Sequence, residues 1–510
     1  MRVGPLVEAN GAGRVVLATL LPLIGCVTTS AGGDGAAFRS AEAVARSAGP
    51  REAQGSVRDP GMIEIAPGAS IQAAVRANPP ATTFLLRAGV FREQRITPKP
   101  GNSFIGEPGA VLNGSRLLTV FLPREGVWIA GVDIAEEEWS GTCLPAYPRC
   151  RSPHQVFVDD QPLRHARDIA SVGAGSYYVD YATRQVYLGA NPAGRTVEIA
   201  VTPWAFGGEV SWVTIRGVTV EKYANPPQVG AIRGSEGSNW LVEDNTVRKN
   251  HGVGITIGPG GHIRRNAVTY NGQLGVSADG AFAVVEDNEI AFNNTAGFLP
   301  EWEGGGSKFA ETQDLAVRNN YVHHNNGYGL WTDIDNIRTV YEGNLVTDNT
   351  HAGIFHEISY AALIRNNHCY RNGSGEAGWI WGGQIQVATS RDVVVTGNVV
   401  VVDGRGGNGI VVLQQDRGSG ALGLRQTRNV SVKDNEVVYL GRAGLSGGAA
   451  DHDEPGMLAG NVVFDSNLYR FSSEPTRWRW HGRDVDLLEF RAAGQEANGS
   501  VDNRVVLPSR

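Results

Sequence analysis

An all-β solenoid of short stacked coils is the fold this 510-residue chain predicts. Three observations predict it. The first is a recurring apolar-x-x-Asn-x-apolar hexapeptide: VEDNTV (242–247), IRRNAV (263–268), VEDNEI (285–290), VRNNYV (317–322), YEGNLV (341–346), IRNNHC (364–369), VTGNVV (395–400), VKDNEV (432–437) and FDSNLY (464–469). Its asparagines are Asn245, Asn266, Asn288, Asn320, Asn344, Asn367, Asn398, Asn435 and Asn467, several of them 21 to 24 residues apart. Secondly, a glycine stands nine residues after six of them, at Gly254, Gly275, Gly297, Gly329, Gly353 and Gly444. Thirdly, β-branched residues dominate the apolar positions, whereas the leucine ladder of a leucine-rich repeat is absent. The pattern predicts coils of two short strands joined by a polar turn, since asparagine tolerates left-handed backbone and bonds to nearby peptide groups. Stacked coils bury their inward residues in one continuous core.

The Asn-turn coils resemble the right-handed parallel β-helix proteins, a group that contains pectate lyases, polygalacturonases and other glycan-processing enzymes. The resemblance covers residues 206 to 471. It implies a β-helix and an expectation of carbohydrate chemistry, but one fold hosts many reactions.

The remaining segments follow in order. Arg2 and Arg14 precede the apolar run VVLATLLPLIG, which is too short to span a bilayer and fits an export signal over residues 1–25. Leu23 to Cys26, LIGC, resembles the lipobox of bacterial lipoproteins, which implies lipidation of Cys26 and anchoring in the cell envelope. Val27 does not resemble the inner-membrane retention signal, so the outer membrane is the expected site where one exists. Residues 26–60, rich in Gly, Ala and Ser, read as a flexible tether. Residues 61–131 hold GASIQAAVRANPP, an amphipathic helix that plugs the N-terminal end, and the first coils. Residues 132–205 alternate like antiparallel hairpins and read as an inserted β-subdomain. Within them, Cys143 and Cys150 bracket a short loop, where a disulfide suits an exported chain. Residues 206–471 are the β-helix and 472–510 its closing segment. Cys369 occupies a core position of the repeat.

Charge excludes one class: a net −7 with no basic stripe argues against nucleic-acid binding. A monomer with a glycan substrate is expected. No zinc motif, nucleophile elbow or phosphate-cradling loop occurs.

Strand alternation after each register glycine gives a candidate site. The next residue points inward, so the second and fourth point outward. The second positions hold Thr256, Ser277, Leu299, Trp331 and Phe355, and the fourth hold Gly258, Asp279, Glu301, Asp333 and Glu357. Coils stack about 4.8 Å apart. Carboxylates at that spacing repel by roughly 3 kcal/mol at an effective dielectric near 20. A cation, a proton or splaying must relieve this, and a retained proton makes a general acid. A shift of register at Pro300 puts Glu303 in place of Glu301. Trp331 and Phe355 are expected as a platform for sugar rings. Lys308 is expected to neutralise the acids or to act as a base. Asp335, His356 and Gln384 complete the candidate substrate contacts, although strict alternation turns His356 inward.

The expected chemistry is glycoside hydrolysis by Asp333 and Glu357, with Glu301 as the third candidate. It requires no cofactor. The alternatives are a uronate lyase or epimerase using Lys308, with Ca²⁺ as its metal, and a lipid-anchored glycan-binding protein without catalysis.

Overall fold

The computed structural model describes residues 40–51 and 61–505, apart from residues 138, 377, 441–442, 454–455, 457, 459 and 472–476. Cys26 and the export signal lie outside the described residues. No helix among the described residues is long and apolar enough to cross a membrane.

Each coil contributes three strands, one more than the pattern predicts. The asparagine falls in a turn that splits its hexapeptide: Leu241–Glu243 precedes it, Thr246–Arg248 follows it, and Val253–Ile257 forms the third face. The residue before the asparagine takes positive φ, as at Asp244, Asp287, Asn319, Gly343, Asn366, Gly397 and Asp434. Asp, Asn and Gly are the residues that enter this left-handed region most readily. The strands after the asparagine form a 13-stranded parallel sheet, and the other two faces run together into a 25-stranded sheet.

The asparagine side chains link the coils. Asn266 Oδ1 accepts from Asn245 N and Nδ2, both at 3.0 Å, while Asn266 Nδ2 donates to Val242 O at 2.9 Å and to Asn288 Oδ1 at 3.0 Å. This ladder continues without a break to Asn467, which donates to Glu496 Oε1. A second ladder runs Asn250, Asn271, Asn293, Asn325, Asn349 and Asn372. Behind the first ladder Val247, Val268, Ile290, Val322, Val346, Cys369, Val400, Val437 and Tyr469 stack in register, all buried. Each buried aliphatic side chain contributes about 1.5–3 kcal/mol.

Helices close the solenoid. The helix α1 (Ala41–Ser47), capped by Ser40, lays Ala41 and Val44 on Leu345 of the 13-stranded sheet. Within the expected tether, residues 40–51 are thus held against the solenoid: SAEAVARS presents an apolar stripe, and Gly49 N then bonds Asp287 O at 2.9 Å. The N-terminal plug α2 (Ile71–Ala77) buries Ile71 and Val75 in the main core. A third short helix, α3 (Pro300–Glu303), lies in a loop that leads into the third face. At the far end α4 (Leu487–Ala492), with a capping box of Asp486 and Glu489, stacks Phe490 on Trp478.

The inserted subdomain is a four-stranded antiparallel sheet and a five-stranded sheet that is antiparallel except where Arg164–His165 runs parallel to Ser176–Asp180. Its strands begin at Ser115, ahead of the expected boundary at 132, because Ser115–Leu118, Leu122–Arg124 and Val127–Gly131 pair within it. It is anchored by Glu198, buried and bonded to Lys222, Arg92 and Ser115. Cys143 and Cys150 are disulfide-bonded, and Cys369 is free and buried.

Candidate active site

The third face carries the site. Its register pairs Ser277 with Lys308, Phe309 with Thr332, Trp331 with Phe355, and Phe355 with Gln386. Phe309, Leu330, Ile354 and Ile385 point into the core. The alternate residues point outward, so Lys308, Trp331, Phe355 and Gln386 form one outer column, with Asp333 and Glu357 beside each other in the next.

The predicted four-carboxylate ladder therefore reduces to an adjacent pair. Residues 297–304 are an insertion, and Gly306 rather than Gly297 takes the repeat position. Glu301 consequently sits on α3, outside the column, where His351 Nε2 lies 3.4 Å from its Oε1 and holds its carboxyl below the usual range. Asp279 is also set apart: it is exposed at a bulge, and the intervening coil presents Ala310 beside Asp333. Glu303 reaches the site from α3, since its Oε1 accepts from Lys308 at 2.9 Å and its Oε2 from Gln228 at 2.8 Å.

Lys308 Nζ also lies 2.9 Å from Asp333 Oδ2 and 4.6 Å from the centre of the Trp331 ring. Burial pulls the Lys308 pKa down, but Asp333 and Glu303 more than offset this and hold it above its ordinary value. Lys308 thus stands between two carboxylates, the arrangement of the first of its two expected roles, neutralising the acids, rather than of a base. Asp333 Oδ1 is buried without a protein partner among the described residues. Glu357 accepts from Arg417 Nη1 on one oxygen and from Trp331 Nε1, at 3.3 Å, on the other. Burial, and then the charge of Asp333, push its carboxyl up to about 7 against the opposing pull of Arg417.

Trp331 and Phe355 do not form an open platform. They stack at 5.9 Å, are 3% and 2% exposed, and pack with Tyr328 and Ile380 beneath the segment 373–382. Apolar rings on a solvent-side wall attract cover, and a 31-residue spacing between Asn367 and Asn398 supplies the chain for it.

Three further expectations are corrected. His356 faces the core, fully buried, with Nδ1 2.7 Å from Thr332 Oγ1, and burial lowers its pKa to about 3. Gln384 terminates the second ladder, with Oε1 accepting from Asn372 Nδ2 at 2.9 Å. Its amide is long enough to stand in where no asparagine follows. Asp335 accepts from Ala421 N at 2.9 Å and Arg425 Nε at 3.1 Å, so it latches the hairpin loop that brings Arg417 to Glu357.

Sequence reasoning missed Arg417, Tyr328 and Glu376. Tyr328 donates to Glu376 Oε1 at 3.0 Å, and burial raises the Glu376 carboxyl. The available signal was the uneven spacing of the ladder asparagines, which locates loops but not their tips. Trp379 and Trp381 flank His452, with ring centres 5.2 and 5.4 Å away, at the outer rim. No group of three or more His, Cys, Asp or Glu among the described residues is arranged to hold a metal ion.

Comparison with known proteins bears on the fold. No curated protein matches the chain. A structure described as the complex of XylC with xylose superposes with a TM-score of 0.65 at 15% identity, over 87% of this chain and 86% of the other. A structure described as a glycoside hydrolase gives 0.46 at 11% identity, over 86% and 99%. The A-module of the mannuronan C-5 epimerase AlgE4 of Azotobacter vinelandii gives 0.49 at 14%, over 87% and 96%. Residues 230–400 match the family model described as the right-handed β-helix region, and the chain has the fold of a right-handed parallel β-helix protein.

Proposed function

We propose that the protein is a glycoside hydrolase that acts with net retention, with Asp333 as nucleophile and Glu357 as general acid and base. One observation carries the reading: two carboxyl groups on adjacent coils in unlike surroundings. Burial, and then the charge of Asp333, push the Glu357 carboxyl up to about 7, while Asp333 lies 2.9 Å from the Lys308 Nζ. Glycosidic cleavage needs two such carboxyl groups, one to give a proton and one to attack. Adjacent coils separate their backbones by about 4.8 Å, which suits the roughly 5–5.5 Å of retaining enzymes rather than the 6.5–9.5 Å of inverting ones.

In the first step Glu357 gives its proton to the leaving oxygen as the Asp333 carboxylate attacks the anomeric carbon. The glycosidic bond breaks and a glycosyl ester forms on Asp333. Glu357, now ionised, takes a proton from water, whose oxygen displaces Asp333 and releases the sugar. Arg417 and Lys308 balance the charge on each carboxylate through both steps. The fold shared with the structure solved with xylose supports a pentoside as a first probe. The Leu23–Cys26 sequence supports a lipid-anchored enzyme of the cell envelope, acting as a monomer on an external glycan.

The test is a panel of aryl glycosides and polysaccharides, assayed with and without chelator, with product configuration read by NMR. A retained anomer and a fluoroglycoside label on the Asp333 peptide are expected. Inverted product, or a chelator-sensitive unsaturated product, overturns the proposal.

A further inference from the structure

A half-open cavity lies where the inserted subdomain meets the β-helix, away from the Asp333 column. It is a cavity of about 240 Å³, lined by Tyr147, Gln155, His165 and Tyr177 of the insertion and by His251 and Thr295 of the coils. At ~30 Å³ per water it has room for about eight waters, the size of one sugar ring. Its polar groups are unevenly satisfied. Both ring nitrogens of His165, both of His251 and Oε1 of Gln155 are buried with no protein hydrogen-bond partner among the described residues. The two lining arginines are already engaged. Arg149 donates to Arg167 O and Tyr178 OH, and Arg164 donates to Ala146 O.

The unmet set defines the ligand chemistry. Burial lowers the pKa of both His165 and His251 to about 3, so each ring is neutral and offers one donor and one acceptor. Gln155 Oε1 adds an acceptor. A ligand that meets all five groups must therefore bring three donors and two acceptors. Phosphate as a dianion or a carboxylate brings acceptors alone and leaves three of the five groups unpaired, at a cost of ~1–3 kcal/mol each. Hydroxyl groups bring both. The walls beside them are aromatic: His165 stacks on Tyr177 with ring centres 4.6 Å apart, and the Tyr147 ring is part of the lining. Ring faces next to unmet donors and acceptors match a molecule with C–H faces and a hydroxyl rim.

We propose that this cavity is a non-catalytic binding site for a single neutral sugar residue, held by His165 and Gln155. The inference does not depend on the catalytic reading, because the site shares no residue with Asp333 and Glu357. Full-length protein carrying Asp333→Asn should be titrated calorimetrically with D-xylose, D-glucose and inorganic phosphate, and crystals soaked with each. A neutral sugar is expected to bind saturably and to appear against His165. Both His165→Phe, which keeps the ring stack, and Gln155→Leu are expected to weaken binding at least tenfold with the circular dichroism unchanged. Sugar binding that survives both substitutions, phosphate binding in the cavity, or a cavity holding only water at saturating sugar overturns the proposal. Absence of hydrolysis with any substrate leaves these outcomes readable, since none of them measures turnover.

Discussion

Lys308 Nζ stands 2.9 Å from Asp333 Oδ2, with both side chains over nine-tenths buried. A buried charge stripped of its partner costs ~3–5 kcal/mol. Lys308→Met should therefore destabilise the fold by about that much in urea unfolding. Adding Asp333→Asn should restore much of the loss, since the orphaned charge is gone. Additive losses in the double variant contradict the pairing.

Glu357 must be protonated to act as an acid, so kcat/KM should fall above about pH 7. Glu357→Gln should lower hydrolysis of poor leaving groups by ~10²–10⁴-fold and leave activated aryl glycosides far less affected at the first step. An alkaline limb that persists in Glu357→Gln assigns it to another group.

The same carboxyl links pH to stability. Its folded-state value, about 7, lies above the ordinary 4.5. Between those values the folded chain binds a proton that the unfolded chain has released. The contribution of this group is fully present below pH 4.5 and is lost as pH rises through 7. The melting temperature of Glu357→Gln relative to the parent should accordingly improve from pH 5 to pH 8. A difference that is flat across that window contradicts the shift.

Arg417 opposes the elevation of Glu357, so Arg417→Met should move the alkaline limb to higher pH. Asp335→Ala removes the bonds to Ala421 and Arg425 that hold the Arg417 loop. Faster hydrogen exchange confined to residues 417–425 is expected. Unchanged exchange there shows that the loop holds itself.

The Asn320 side chain makes four ladder bonds, to Asn288 N, Asn288 Nδ2, Val285 O and Asn344 Oδ1. Asn320→Ala leaves several of these buried partners unmet, so a loss of ~3–5 kcal/mol is expected in chemical denaturation. A loss under ~1 kcal/mol shows that water replaces the amide.

The coils were legible because their cause is local. Each needs a left-handed residue, a ladder asparagine and β-branched neighbours, and all three are visible in VEDN or VRNN. The pairing of Asp333 with Glu357 was legible for the same reason, since both follow Gly329 and Gly353 by four. Glu301 follows Gly297 by four as well, yet Gly306 proved to be the register residue. Two glycines nine residues apart offer the same local signal, and only pairing with Leu274 and Tyr328 decides between them. Arg417 and Glu376 were illegible because loop tips reach the site through tertiary contacts that no periodicity encodes.

The ladder fixes pitch but not girth. Each insertion leaves at a turn and returns before the next asparagine, so a coil can gain a helix or hairpin while its neighbours stay in step. Segments 297–304 and 373–382 enter the third face from one margin, and 415–427 leaves from the other. Lengthening or exchanging these three loops should therefore reshape the walls around an unmoved carboxyl pair, making the scaffold a fixed floor on which substrate preference can be rebuilt.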